Sequence, residues 1–140
     1  MLASMPIPCV DLICVNSNDE ILYGWRVIPP YKNRWALPGG RILRGESPEQ
    51  AAARQLKECG IKAKRLYQNG VFSVNFPSGR CDIVTSFIAE GASNPSSFGK
   101  DFSRFMWSLD IPKKTGDNYR RMVESFRKRK AVFKRSELML

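Results

Sequence analysis

Residues 39–61 read GGRILRGESPEQAAARQLKECGI, a glycine pair followed by a basic stretch and a helix with a well-marked start. Ser47 is a favoured N-cap residue, and Pro48 is favoured at the first helical position. Small apolar residues recur on one face of this helix: Ala51, Ala52, Leu56 and Cys59. Because Gly60 favours the end of a helix, the segment predicts a glycine turn that leads into an amphipathic helix over residues 48–59.

Strand patterns flank this helix on both sides. IPCVDLICV (7–15) is nearly continuously apolar, which predicts a central strand buried on both faces. The other predicted strands are EILYGWR (20–26), two short strands within WALPGGRI (35–42), KRLYQNGVFSVNF (64–76), RCDIVTSFIAEG (80–91) and RFMWSLD (104–110). A second helix is predicted over residues 117–133, with one stripe formed by Tyr119, Met122, Val123, Phe126, Lys130 and Phe133.

With 35–42 counted as one strand unit, the predicted order is β-β-β-α-β-β-β-α. This order predicts an α+β fold in which two helices cover a mixed sheet. The chain has 140 residues and 43% hydrophobic residues, which suits one domain with a single core. It contains no apolar run of the roughly 18 residues that span a membrane, and its start lacks the pattern of a secretion signal, so we expect a cytoplasmic protein.

The net charge and the residue composition limit the partners and the types of site that the chain can have. The net charge is +10, and residues 113–140 carry ten Lys or Arg against three acids, which favours polyanionic partners such as nucleotides, nucleic acid or anionic lipid. The chain has no histidine, and its four cysteines form no CxxC pair. A zinc site is therefore not expected, and a general base must be another residue type. Cys9 and Cys14 are predicted to be small buried residues.

A glycine turn that leads into a helix suits the binding of a magnesium diphosphate. Glycine lets backbone groups approach a ligand closely, acidic residues one helical turn apart point the same way, and arginines neutralise phosphate charge. At these residues the chain resembles the Nudix box, G-x5-E-x7-R-E-U-x-E-E-x-G-U with U aliphatic. Seven positions match, with one residue deleted before the last glycine: Gly40, Glu46, Arg54, Leu56, Glu58, Gly60 and Ile61. The resemblance implies an α/β/α sandwich with the mixed sheet between helices.

Two box positions depart from this pattern. Gln55 and Cys59 stand where the box has glutamates, so Glu58 alone remains of the metal-binding face, with Glu46 as a more distant helper. We therefore expect Mg²⁺ to be held largely by the phosphates of the substrate. The backbone carbonyl of Gly39 or Gly40 would add a further oxygen. The resemblance also implies that Arg54 pairs with Glu46 inside the box.

Within the Nudix family, the chain is similar to the GDP-mannose mannosyl hydrolases, a branch that uses a reduced box. Asp11 in PCVDLICV, Arg26 in the GWR hairpin and Arg41 in WALPGGRI keep the branch's pattern, fifteen residues apart each time. MWSLD followed by DNYRRMVESF is similar to its closing strand and helix. The resemblance covers residues 6–126. We expect a Nudix domain over 6–128 and a basic helix end or tail over 129–140.

This resemblance implies hydrolysis of a nucleoside diphosphate sugar, GDP-mannose to GDP and mannose, by attack at the sugar C1 carbon. Arg26 and Arg41 would stabilise the departing diphosphate, and Asp11 would contact the nucleotide or the sugar. The branch's histidine base and neighbouring glutamine are missing from ASNPSSFGKDFSR, where Asp101 is the carboxylate that could act as base. The branch is dimeric, which implies a homodimer.

Other interpretations of the same residues stay open. Arg26 and Arg41 are also compatible with plain surface charges, and Tyr31 with either a surface residue or a platform for stacking substrate. Trp35 and Trp107 are predicted in the core. One alternative function is a nucleotide pyrophosphatase that cleaves the diphosphate. The other is a catalytically impaired Nudix domain that binds nucleotide or RNA, with RNA or another polyanion contacting the basic C-terminus.

Overall fold

The structure, a computed structural model, describes residues 5–138, with side chains described as far as residue 132. Within these residues the chain forms seven strands and two helices. They are β1 (Ile7–Val15), β2 (Ile21–Arg26), β3 (Trp35–Ala36), β4 (Gly39–Arg41), α1 (Pro48–Glu58), β5 (Arg65–Asn75), β6 (Cys81–Glu90), β7 (Phe102–Ser108) and α2 (Asp117–Leu138). No helix in this part of the chain has the length and apolarity to span a membrane.

β1 is the central strand of the sheet. It runs parallel to β6, with Ile7 opposite Asp82, and β5 forms the antiparallel outer edge beyond β6. On its other side, β1 pairs with β4 around Asp11 but with β2 only at Val15. β2 in turn pairs with β3 and β7. β1 and β2 therefore diverge toward the start of β1, and this divergence leaves space between them.

Two hydrophobic clusters lie on the two faces of the sheet. α1 covers one face with Ala51, Ala52 and Leu56, and α2 covers the other with residues that include Met122 and Val123. β1 contributes alternate residues to both clusters, which explains why its sequence is nearly continuously apolar. The predicted α/β/α sandwich with a mixed sheet is confirmed.

The start and end of α1 follow from its sequence. Ser47 accepts a hydrogen bond from the backbone of Gln50, and the Gln50 side chain accepts one from the backbone of Ser47, which forms a capping box. At the other end, Gly60 has a φ of 64° and Ile61 donates to the carbonyl of Leu56. The helix therefore ends at Glu58, one residue before the predicted end.

The structure corrects three further details. Four strands precede α1, because the two short strands within 35–42 pair with different neighbours, β2 and β1. β7 begins at Phe102, two residues before its predicted start, because Phe102 pairs with Arg26. α2 continues to Leu138, beyond its predicted end at residue 133, and the side chain of Phe133 lies outside the described residues.

Candidate active site

A cavity of about 290 Å³ opens where β1 and β2 diverge. Its wall is formed by β1, β4 and β6, by the loop after β2 and by the start of α2. Six of the predicted site residues line it: Asp11, Arg26, Gly39, Gly40, Arg41 and Asp101. The fold therefore gathers into one place residues from three strands and a loop. Tyr31, Glu46, Glu58 and Arg54 lie outside its lining.

Asp11 lies on β1 in the floor of the cavity and is 8% exposed. Gly39 is its cross-strand neighbour, and a Cβ atom there would lie 2.2 Å from the Asp11 Oδ1 atom, so glycine is required for the two strands to pair. Burial raises the pKa of Asp11 well above its usual range; Arg26 opposes this rise and Asp82 adds to it. A raised pKa favours a protonated carboxyl, which can donate a hydrogen bond to a phosphate or sugar oxygen.

Arg26 is the last residue of β2, and the loop that follows holds its side chain. Its guanidinium donates to the carbonyls of Pro30 and Pro29, the latter at 3.1 Å, and lies 3.7 Å from the Asp101 carboxylate. These contacts leave the side chain 13% exposed and fix its position at the cavity wall. Asp101 is held in turn because Val27 donates to its carbonyl.

Arg41 stands at the end of β4, opposite Cys9 on β1. Its side chain is exposed and forms no salt bridge to any described residue, so its charge is available to a ligand. The two arginines thus differ: Arg26 is fixed by the protein, and Arg41 is free to move onto a bound anion.

The charged residues of the box contact one another instead of the cavity. Arg54 Nε donates to Glu46 at 2.8 Å, Arg54 Nη1 donates to Glu58 at 3.1 Å, and Arg54 Nη2 donates to the carbonyl of Arg41 at 2.9 Å. Hydrogen bonds from Arg54 and from the Leu43 backbone lower the pKa of Glu46. Arg54 therefore ties α1 to β4, and the Arg54–Glu46 pair implied by the resemblance is present.

Gln55 links this network to the glycine turn. With its side-chain amide oriented to satisfy both neighbours, it donates to the carbonyl of Gly39 at 3.3 Å and accepts from Arg54 Nη1 at 3.2 Å. A Cβ atom at Gly40 would lie 2.4 Å from the end of the Gln55 side-chain amide. The neutral side chain therefore fills the place where the box has a glutamate.

The same contacts test whether the chain fits a magnesium ion. Among the described residues, no group of three or more His, Cys, Asp or Glu is placed to hold a metal. Mg²⁺ commonly uses one or two carboxylates, several waters and the phosphates of a substrate. Glu58 is 56% exposed and lies outside the cavity lining, and the Gly39 carbonyl accepts from Gln55, so these residues offer one carboxylate and one carbonyl to an ion that arrives with a diphosphate. They do not form a site made of protein ligands alone.

Tyr31 packs behind the cavity. Its ring lies 5.8 Å from Phe76 and 5.5 Å from Tyr119, between ring centroids, and both of these residues line the cavity. Tyr31 therefore supports the wall from outside, and the structure does not place it where a ligand in the cavity would stack on it.

Several lining residues were missed by the sequence analysis. Arg80 donates to both oxygens of Asp82, at 2.8 and 3.0 Å, and the pair lies in the cavity wall. Asn118, at the start of α2, has a buried Oδ1 atom that accepts no hydrogen bond from the described residues. Asp82 carries the signal that marked Asp11, a carboxylate on a mostly apolar strand. Nothing in the local sequence marks Asn118.

Cys9 also lines the cavity, but it is a poor nucleophile there. Burial, with the nearby carboxylates of Asp82 and Asp11, raises the pKa of its thiol to about 12. The thiol is therefore neutral near pH 7, which agrees with its prediction as a small buried residue.

Comparison with known proteins assigns the fold to a family. The model of the NUDIX domain family matches residues 5–118. The structure superposes on a MutT NUDIX hydrolase from Burkholderia pseudomallei with a TM-score of 0.78 and 23% identity, covering 86% of this chain and 98% of that one. It also superposes on the NUDIX domain of Shewanella oneidensis NrtR, solved with ADP ribose, with a TM-score of 0.69 and 20% identity, covering 89% and 88% of the two chains. Similarity at these identities establishes the fold.

A curated relative is similar over a shorter segment. An RNA pyrophosphohydrolase from Cereibacter sphaeroides is 40% identical over 60 residues, which cover 42% of this chain and 36% of the relative. The match therefore spans about a third of the length of that protein.

Proposed function

Because this chain belongs to the NUDIX domain family, we propose that it is a magnesium-dependent hydrolase of nucleoside diphosphate-linked substrates, with GDP-mannose as the first candidate. The observation that carries the proposal is the meeting of Arg26 and Arg41 with Asp11 at one cavity, although these residues come from three different strands. Two guanidinium groups at one opening suit a diphosphate. Arg41 is exposed and can form paired hydrogen bonds to phosphate oxygens, and Arg26 adds a fixed positive charge at the cavity wall.

In this proposal, water attacks the C1 carbon of the sugar. The new bond joins the water oxygen to C1, the bond between C1 and the diphosphate oxygen breaks, and its electron pair leaves with GDP. Arg26 and Arg41 stabilise the charge that develops on this leaving group. Asp101 accepts the proton of the attacking water, and its contact with Arg26 keeps it at the cavity. Asp11, favoured in its protonated form, donates to a substrate oxygen.

Glu58 and the Gly39 carbonyl would hold magnesium together with the phosphates of the substrate. Glu46 shares the Arg54 contact with Glu58, and Gly40 follows Gly39 in the chain. When bound, the ion supplies positive charge to the diphosphate, as the two arginines do. The chain's own contribution is to place these groups: Arg54 positions Glu58, and Gln55 holds the carbonyl of Gly39.

Isotope transfer tests which bond breaks. The protein is incubated with GDP-mannose and Mg²⁺ in H₂¹⁸O. The products are then separated, and mass spectrometry determines which of them contains ¹⁸O. The proposal predicts unlabelled GDP and labelled mannose. GMP and mannose 1-phosphate, with the label on phosphate, would mean attack on phosphorus and would overturn it.

Cleavage of a phosphoanhydride is the second candidate, and a specific observation favours it, the similarity to an RNA pyrophosphohydrolase. In this case the substrate is an RNA or nucleotide with a 5′ polyphosphate, and the same arginines hold the phosphates. Release of pyrophosphate or phosphate from 5′-triphosphorylated RNA would support this function. A chain that binds these compounds and releases no product is the impaired binding domain, the third candidate.

We also propose that the protein is a homodimer, as the resemblance implies. Light scattering after size-exclusion chromatography should then give twice the monomer mass of 15.9 kDa. A mass that stays at the monomer value over the concentration range of the enzyme assays would contradict this assembly.

A further inference from the structure

Two tryptophans and an arginine form a row across the three strands β3, β2 and β7. Trp35 on β3 pairs with Trp25 on β2, and their ring centroids lie 5.2 Å apart in an edge-to-face arrangement. Arg104 on β7 places its guanidinium 4.8 Å from the Trp25 ring and 5.3 Å from the Trp35 ring. We call these three residues the tryptophan row.

The third tryptophan of the chain, in contrast, has contacts that explain its position in the fold. Trp107 packs against a hydrophobic cluster, and its indole N–H donates to Asn94 Oδ1 at 2.7 Å. Trp25 is partly exposed and belongs to neither cluster of the described core, and Trp35 packs against one cluster. Neither Trp25 nor Trp35 donates its indole N–H to a described residue. The core therefore does not account for the position of the Trp25 ring.

Besides Arg104, two cationic residues lie close to the row along the backbone. Arg34 precedes Trp35 in the chain, and Lys114 lies beside it because the backbone N–H of Trp35 donates to the Lys114 carbonyl at 2.7 Å. Arg34, Lys114 and Arg104 are exposed, and none of them forms a salt bridge within the part of the chain whose side chains are described. Asp101 is close along the chain, but it is paired with Arg26. The surface therefore combines flat rings with cations that have no carboxylate partner.

We propose that the tryptophan row binds single-stranded RNA. Unpaired bases stack on aromatic rings and on the plane of an arginine, and neighbouring cations hold the phosphates. A base in a duplex offers no free face for this contact, so a single strand fits better. The free indole N–H groups add donors for the ribose 2′-hydroxyl, which DNA lacks, and this favours RNA. The binding does not depend on which bond the cavity hydrolyses.

The test measures RNA binding apart from the cavity. A fluorescent oligouridylate of about 12 nucleotides, within the site sizes of stacking platforms, carries a 5′-hydroxyl so that it presents no polyphosphate to the cavity. Its affinity is measured by anisotropy for the wild type, for Trp25→Leu, for Arg104→Gln and for a double variant on the exposed surface of α2, Lys128→Gln with Arg129→Gln. Arg65→Gln is the matched control, because Arg65 also lies over an aromatic ring, that of Tyr67 at 5.2 Å, on the outer strand β5. Thermal melts verify that each variant is folded.

The row predicts about tenfold weaker binding for Trp25→Leu and for Arg104→Gln, less than twofold change for Arg65→Gln, and weaker binding of the matching DNA. Arg104 is exposed, so Arg104→Gln keeps the test valid if Trp25→Leu fails to fold. A wild type that does not bind the oligonucleotide would overturn the proposal. An equal loss of affinity in Arg65→Gln would also overturn it. A loss confined to the double variant Lys128→Gln with Arg129→Gln would overturn it as well, because the RNA would then bind the basic surface of α2.

Discussion

The cavity wall and the outer surface of α1 carry the same kinds of charged residue but use them differently. At α1, Arg54 contacts Glu46 and Glu58 together, and Gln55 contacts both Arg54 and the Gly39 carbonyl. At the cavity, the Arg41 side chain is unpaired among the described residues, and Asp11 is buried with a raised pKa. Charges that neutralise one another hold the fold together, whereas the Arg41 side chain is available to a substrate. Arg26 combines both features, because it contacts Asp101 and also lines the cavity. We therefore infer that the cavity arginines carry the diphosphate.

The largest effect should come from removing one of these arginines. Arg26→Ala and Arg41→Ala should each lower kcat/KM for the active substrate by about 10²–10³-fold, because each removes a positive charge that stabilises the leaving group. Steady-state kinetics at saturating Mg²⁺ measures this loss. Arg44→Ala is the control, because Arg44 is exposed and lies outside the cavity lining. Similar losses in all three variants would mean that total positive charge matters and position does not.

A smaller effect should follow from restoring a carboxylate on α1. Gln55→Glu should bind Mg²⁺ about tenfold more tightly, because the new charge lies beside the Gly39 carbonyl. Without Mg²⁺ its Tm should fall, since a carboxylate cannot donate to that carbonyl, and added Mg²⁺ should restore the Tm. Calorimetry and thermal melts measure both changes. Gln50→Glu adds the same charge at the capping box, and an equal gain in that control would contradict the local explanation.

The third effect is on stability rather than on activity or metal binding, and it concerns the pH dependence of unfolding. The folded-state pKa of Asp11 is raised above its ordinary value of 3.8, so the folded protein binds more protons than the unfolded chain once the pH exceeds 3.8. The free energy of unfolding should then fall with rising pH by up to about 1.4 kcal/mol per pH unit, until Asp11 ionises in the folded state.

Asp11→Asn should lack this fall, so the wild type should lose stability relative to the variant as the pH rises from 4. Urea unfolding at several pH values measures the difference. Asp110→Asn, which changes an exposed carboxylate, should stay parallel to the wild type. Parallel curves for Asp11→Asn as well would mean that Asp11 ionises normally in the folded protein.

Much of the fold followed from local patterns. The apolar run of β1 and the Ser47–Pro48 start of α1 identified the central strand and the first helix, and the Nudix resemblance is confirmed by the family match. The start of β7 was wrong because pairing with Arg26 decides it, and that contact joins distant parts of the chain. The similarity to the GDP-mannose branch stays a prediction.

The candidate site also contains some residues that the sequence could identify and others that it could not. Asp11, Arg26 and Arg41 each lie in a short motif, so the sequence could find them. Asp82 is marked in the sequence only as a carboxylate on a mostly apolar strand, and the parallel pairing of β1 with β6 brings it to the cavity. Asn118 comes to the cavity through the packing of α2 and has no local signal. Their placement needed the structure.

The inference that the cavity arginines carry the diphosphate is tested most directly by calorimetric titration with GDP in the absence of Mg²⁺. The wild type and Glu58→Gln should bind GDP with similar affinity, and Arg26→Ala and Arg41→Ala should each bind it at least tenfold more weakly. Loss of binding in Glu58→Gln, with binding retained in both arginine variants, would contradict this account. It would indicate that charged residues of α1 bind the diphosphate.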